Sequence, residues 1–128
     1  MTVFYVDDDQ DDLDLFKEAL QEINSAITLV TFNNCPDVIK ELQKVSTLPN
    51  YIFLDINVTP VDGKNCLGQI KKDNRLKNIP VYMLSTAKNP SEVLECFKWG
   101  AQDYIQKKQS YASLTQTLRT LFSVTENR

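Results

Sequence analysis

Histidine is absent from the 128 residues, and cysteine occurs only at Cys35, Cys66 and Cys96, with no Cys-x-x-Cys pair. That excludes zinc, whose ligands come from closely spaced Cys and His. The three thiols are odd in number and far apart, so we read them as reduced and structural. Three glycines and five prolines are too few for a disordered or low-complexity chain. Apolar runs extend over a few residues, far short of the about 20 needed to cross a bilayer. The opening Met1-Thr2-Val3-Phe4-Tyr5 has no basic region or cleavage site. The expectation is a cytoplasmic protein with no membrane insertion. A formal charge of −3 leaves no basic face to displace counterions from phosphates, which argues against a nucleic-acid partner.

What is present suits one globular domain. Apolar residues make up 42% and charged residues 24% of the chain, and a domain of this length buries roughly two-thirds of its unfolded surface. Charge is unevenly spread. Six aspartates fall between Asp7 and Asp14, while Lys107 and Lys108 sit together near the other end.

Hydrophobic periodicity divides the chain into repeating pairs. Val3 to Val6 is a β-favouring run, followed by Leu13, Phe16, Leu20 and Ile23 at helical spacing. Ile27 to Phe32 precedes Val38, Ile39 and Leu42, and Tyr51 to Leu54 precedes Leu67 and Ile70. Pro80 to Leu84 precedes Val93, Leu94 and Phe97 behind an Asn89-Pro90 start signal. Tyr104 to Gln106 is a fifth, weaker strand. Ser110 can cap a last helix on which Leu114, Leu118, Leu121 and Phe122 share a face. Strands separated by helices, without hairpin turns, pair in parallel through crossovers. The expected fold is α/β: a doubly wound, five-stranded parallel sheet of order 2-1-3-4-5 with five helices, flavodoxin-like. Residues 1–128 are expected to form one domain, with no output domain.

In such sheets ligands bind beyond the carboxyl ends of the strands, where strand order reverses between strands one and three. Those ends carry acids: Asp7, Asp8 and Asp9 after the first strand and Asp55 after the third. Ser85 and Thr86 end the fourth, and Lys107 follows the fifth. Carboxylates within a few ångströms of one another either rise in pKa or hold a cation. Mg²⁺ suits a few carboxylate or carbonyl oxygens and leaves positions for water and phosphate. Three acids, one lysine and a dication sum to zero, which suits an incoming phosphoryl group.

Val6-Asp7-Asp8-Asp9, Leu54-Asp55-Ile56-Asn57 leading to Asp62-Gly63, Pro80 to Leu84 ending in Ser85-Thr86, and Gly100-Ala101 through Tyr104 to Lys107 resemble the response-regulator receiver domains of two-component signalling. The likeness is to stand-alone regulators of the chemotaxis type and covers essentially the whole chain. It implies that Asp55 takes a phosphoryl group from the phosphohistidine of a sensor kinase or phosphotransfer protein. It implies Mg²⁺ ligation by Asp8, by Asp7 largely through a bound water, by Asp55 and by the Asn57 backbone carbonyl. Lys107 would pair with phosphoryl oxygens and Ser85 would hydrogen-bond one of them. Ser85 or Thr86 and Tyr104 would form the switch. The fourth helix, fifth strand and fifth helix would then meet a downstream protein target, with homodimerisation on phosphorylation left open. Such a protein assists only its own phosphorylation and dephosphorylation. It is not an enzyme in the turnover sense.

Two positions depart from the family pattern. Thr59 stands where proline is usual, with Pro60 after it, and Lys108 stands where a proline, commonly cis, follows the lysine. We read the Lys107–Lys108 peptide as trans, because a non-proline cis bond costs about 3 kcal/mol.

Plainer readings compete at each position. Asp11, Asp12 and Asp14 are adequately explained as first-turn acids that complement a helix dipole. Tyr104 could be core alone, and Trp99, Phe97 and the last helix's leucines are read as core or rim. Asp7, Asp9, Asp11 and Glu18 match four places of a calcium-binding loop, but Asp12 occupies the place of the obligatory glycine and a strand precedes the motif. Two other functions are weighed: a metal-dependent phosphatase working through an aspartyl-phosphate, and a receiver-like binding module that no longer depends on phosphorylation. The first needs Asp-x-Asp and a cap, whereas here Asn57 follows Asp55 by two places. The second is motivated by Thr59 and Lys108.

Overall fold

In the computed structural model, which describes residues 1–86, 89–107 and 110–126 and the last four of these by backbone alone, strands and helices alternate throughout. They are β1 (Thr2–Val6), α1 (Gln10–Ile23), β2 (Thr28–Phe32), α2 (Cys35–Lys44), β3 (Tyr51–Asp55), α3 (Gly63–Lys72), β4 (Val81–Ser85), α4 (Pro90–Lys98), β5 (Asp103–Gln106) and α5 (Tyr111–Glu126). All pairings are parallel, in the order β2-β1-β3-β4-β5. The doubly wound sheet expected from periodicity is the one formed.

Alternation along each strand sorts the core into two layers. Val3, Tyr5, Tyr51, Phe53, Tyr82 and Leu84 face α1 and α5, where they meet Phe16, Leu20, Leu118 and Phe122. Phe4, Val6, Ile52, Leu54, Val81 and Met83 face α2, α3 and α4. Every residue of β3 and β4 is buried, as strands covered on both faces require.

Helix starts follow local chemistry. Asp9, Asn34, Asp62 and Asn89 cap α1 to α4 with side-chain oxygens that accept first-turn amides. The Ser110 hydroxyl accepts the Ser113 amide at 3.0 Å and so opens α5 as expected. Asp11 and Asp12 lie in the first turn of α1, though the cap itself is Asp9. Because Asp9 caps a helix that directly follows β1, the calcium-loop reading fails. Gly100, at φ 106°, ends α4 in a conformation that side chains avoid.

Two expectations are corrected. Cys35 and Cys66 are joined as a disulfide, with Cα atoms 5.9 Å apart, and only Cys96 is a free thiol among the described residues. Thirty-one positions separate the pair in sequence, and only the packing of α2 against α3 brings them together. On α4 the core face is formed by Cys96 and half-buried Val93, while Leu94 (58% exposed) and Phe97 (45%) point outward. That helix has nine residues and touches the sheet along one narrow stripe, so helical spacing of apolar residues did not identify its inner face.

Candidate metal and phosphoryl site

The register of β1 against β3 pairs Val6 with Leu54, so the next residues, Asp7 and Asp55, emerge side by side from the carboxyl edge of the sheet. Asp7 is fully buried, Asp55 is 4% exposed and Asp8 is exposed. One carboxylate oxygen from each of the three lies within 4.8 Å of the others. After Asp55 the chain turns back on itself. The Asn57 amide donates to Asp55 Oδ1 at 3.2 Å, and the Gly63 amide donates to the Ile56 carbonyl at 2.8 Å. A Cβ on Gly63 would lie 2.5 Å from the Asp55 carbonyl oxygen and 2.6 Å from Ile56 Cα. Glycine is therefore what lets α3 begin against the end of β3.

Lys107 reaches this cluster from the end of β5. Its amide donates to the Ser85 carbonyl at 2.7 Å, and its Nζ lies 2.8 Å from Asp7 Oδ2, 2.9 Å from Asp12 Oδ2 and 3.4 Å from Asp55 Oδ2. Asp12 is a member of the site that sequence reasoning missed. Its helix-start position explained it sufficiently, and only the return of α1 over the strand ends brings it to Lys107. Tyr5 is another, because its hydroxyl donates to Asp7 Oδ2 at 2.5 Å.

Burial, and then the charge of Asp7, lift the Asp55 carboxyl to about 6, while Lys107 and the Asn57 amide pull the other way. Burial would lower the Lys107 ammonium, but its hydrogen bonds to Asp7 and Asp12 outweigh this and hold it above the usual lysine range. Burial and the adjacent Asp7 also push the Tyr5 phenol far up, so it stays a donor.

Ser85 is buried at the end of β4, and Thr86 beside it is exposed. Tyr104, also buried, shares a hydrogen bond with the Ser85 side chain, and its hydroxyl lies 3.4 Å from Glu92 Oε1 on α4. The Thr59–Pro60 peptide of the β3–α3 loop is cis. The expectation for the Lys107–Lys108 peptide falls on Lys108, outside the described residues.

The donor set fits a hard divalent ion. Oxygens bound to one Mg²⁺ at about 2.1 Å lie about 3 to 4 Å apart, close to the separations of within 4.8 Å found here.

Comparison with known proteins gives this arrangement a family. The family described as response regulator receiver domain matches residues 3–119. This chain belongs to that family. As a receiver domain of two-component signalling, it is 32% identical over 78 residues to the response regulator Rcp1 of Synechocystis sp., a stretch covering 61% of this chain and 53% of that protein. The chain spans about half the length of Rcp1 and of another curated relative, the protein FilR2 of Methanothrix harundinacea. Among solved structures, the phosphorylated cyanobacterial phytochrome response regulator RcpA superposes with a TM-score of 0.86 at 29% identity, covering 94% of this receiver and 89% of that chain. The Mn²⁺-bound form of Rcp1 gives 0.85 at 27% identity, covering 95% and 91%. No helix among the described residues of the receiver is long and apolar enough to cross a membrane.

Proposed function

We propose that this receiver signals through Mg²⁺-dependent phosphorylation of Asp55 by a histidine kinase or a phosphotransfer protein. The observation that carries the reading is the meeting of Asp7, Asp8 and Asp55 within 4.8 Å, with Lys107 Nζ 3.4 Å from Asp55. In the step itself an Asp55 carboxylate oxygen attacks the phosphorus of a phosphohistidine. The P–N bond breaks, and its electron pair leaves with the imidazole, which takes up a proton. Asp8 and Asp55 would hold the ion directly, Asp7 largely through a water, and the Asn57 carbonyl would complete the protein ligands. Bound there, the cation would neutralise the crowded acids and the charge of the incoming phosphoryl oxygens. Lys107, whose Nζ is 3.4 Å from Asp55 Oδ2, would turn from these carboxylates toward a phosphoryl oxygen.

Ser85 links this chemistry to the surface. Its side chain bonds to Tyr104, and Tyr104 in turn approaches Glu92 on α4. A phosphoryl oxygen that captures the Ser85 hydroxyl removes one partner of Tyr104 and loosens its hold on α4. Exposed Leu94 and Phe97 place apolar surface on that helix, which supports a downstream protein partner at α4, β5 and α5. We infer a cytoplasmic receiver unit over residues 1–128, with phosphorylation-driven homodimerisation open.

Incubation with Mg²⁺ and acetyl phosphate should add one phosphoryl mass, and EDTA or Asp55→Asn should prevent it. A wild-type chain that stays unmodified refutes the proposal. Partner binding that is unchanged by Asp55→Asn favours a phosphorylation-independent module, and sustained turnover of a phosphomonoester favours a phosphatase.

A further inference from the structure

We propose that Tyr5 is a positioning residue for the cation site: its hydroxyl orients the Asp7 carboxylate so that a single oxygen, Oδ1, serves the ion or its water. This rests on the reading of Asp7, Asp8 and Asp55 as the cation site. Tyr5 projects from β1 toward α1, and its hydroxyl reaches the Asp7 carboxylate just beyond the end of the strand. The Tyr5 ring is 1% exposed and packs 4.3 Å from the ring of Phe16, centroid to centroid. Phenylalanine would fill that space equally well, so packing alone does not call for a hydroxyl.

A carboxylate offers about four lone-pair positions. On Asp7, Oδ2 accepts both Tyr5 Oη at 2.5 Å and Lys107 Nζ at 2.8 Å, and Oδ1 accepts the Asp9 amide at 3.0 Å. Oδ2 thus carries two donors and Oδ1 one, and the same carboxylate also meets that of Asp55. The two donors on Oδ2 approach from different elements, β1 and the end of β5, so together they fix the rotation of the carboxylate. With Tyr5 gone, Lys107 alone holds Oδ2, and Lys107 is also shared with Asp12 and Asp55. It is the group that must turn toward an incoming phosphoryl oxygen. Tyr5 therefore keeps Asp7 aligned while Lys107 moves.

Partners that orient a metal-binding carboxylate typically contribute tenfold or more to cation affinity. Tyr5→Phe, which keeps the ring, should therefore weaken Mg²⁺ binding about tenfold by isothermal titration calorimetry, with the thermal midpoint in EDTA confirming a folded protein. The second measurement is a cycle with Asp7→Asn. If Tyr5 acts through Asp7, adding Tyr5→Phe to Asp7→Asn should change Mg²⁺ affinity less than twofold, whereas a purely structural hydroxyl would weaken both backgrounds equally. A Tyr5→Phe protein that binds Mg²⁺ as tightly as the wild type, or more tightly, overturns the proposal. A wild type that binds no Mg²⁺ instead overturns the cation-site reading beneath it.

Discussion

At the scale of single residues, the site is defined by unequal burial of like charges. Asp7 has no exposure and Asp55 almost none, yet Asp8 faces solvent. Asp55 is raised from 3.8 to about 6 by burial and by Asp7. A raised carboxyl binds more protons in the folded than in the unfolded chain between those values. The stability it contributes in the metal-free protein is therefore full below about pH 4 and lost as pH rises through about 6. Mg²⁺ bound as proposed would displace that proton. Titration at pH 6 should release roughly half a proton per ion bound and at pH 8 close to none, read by calorimetry in buffers of different ionisation enthalpy. Equal release at both pH values would mean that Asp55 is not the titrating group. Lys107 acts with the opposite charge, pairing with buried Asp7. In EDTA, Lys107→Met should destabilise the fold by about 3 kcal/mol in urea, because it strands a buried carboxylate.

At the scale of elements, loops at the carboxyl edge hold the proposed site, and the strands behind them carry the rigidity. The β3–α3 connection shows how tightly the two are joined. Gly63 has backbone from Asp55 and Ile56 where a Cβ would go. Gly63→Ala should cost about 3 kcal/mol and slow acetyl-phosphate labelling, since any relief must move the Asp55 backbone. An unchanged urea midpoint would show that the loop can retreat without cost. Much of this level could be read directly from the chain. Asn89-Pro90 marked the start of α4, and Ser110 that of α5, because caps act through amides a few residues away. The inner face of α4 could not be read this way. Leu94 and Phe97 have helical spacing but lie outward, because which stripe of a short helix turns inward depends on its packing against β5 and on its tie to α3 through Lys64 and Glu95.

At the scale of the whole molecule, five parallel strands bring five loops to one edge, so residues a hundred positions apart become a single site. Lys107 and Asp7 are the clearest case, at 2.8 Å. The same closure joins Cys35 to Cys66 across α2 and α3. Protein purified without reductant and then unfolded should show one iodoacetamide-reactive thiol per chain, that of Cys96, rising to three after reduction. Three reactive thiols before reduction would return the pair to the reduced state first inferred from the cysteine spacing. The amino-acid sequence by itself determined the alternation of strands and helices and the acids, hydroxyl and lysine at strand ends. Those features follow from local periodicity and from the rule that parallel sheets bind at their carboxyl edge. Only the tertiary structure decided that Asp12 and Tyr5 join the site, that Cys35 meets Cys66 and that Asp55 sits near neutrality. Each of these depends on distance and burial between segments far apart in the chain, quantities that residue order alone does not specify.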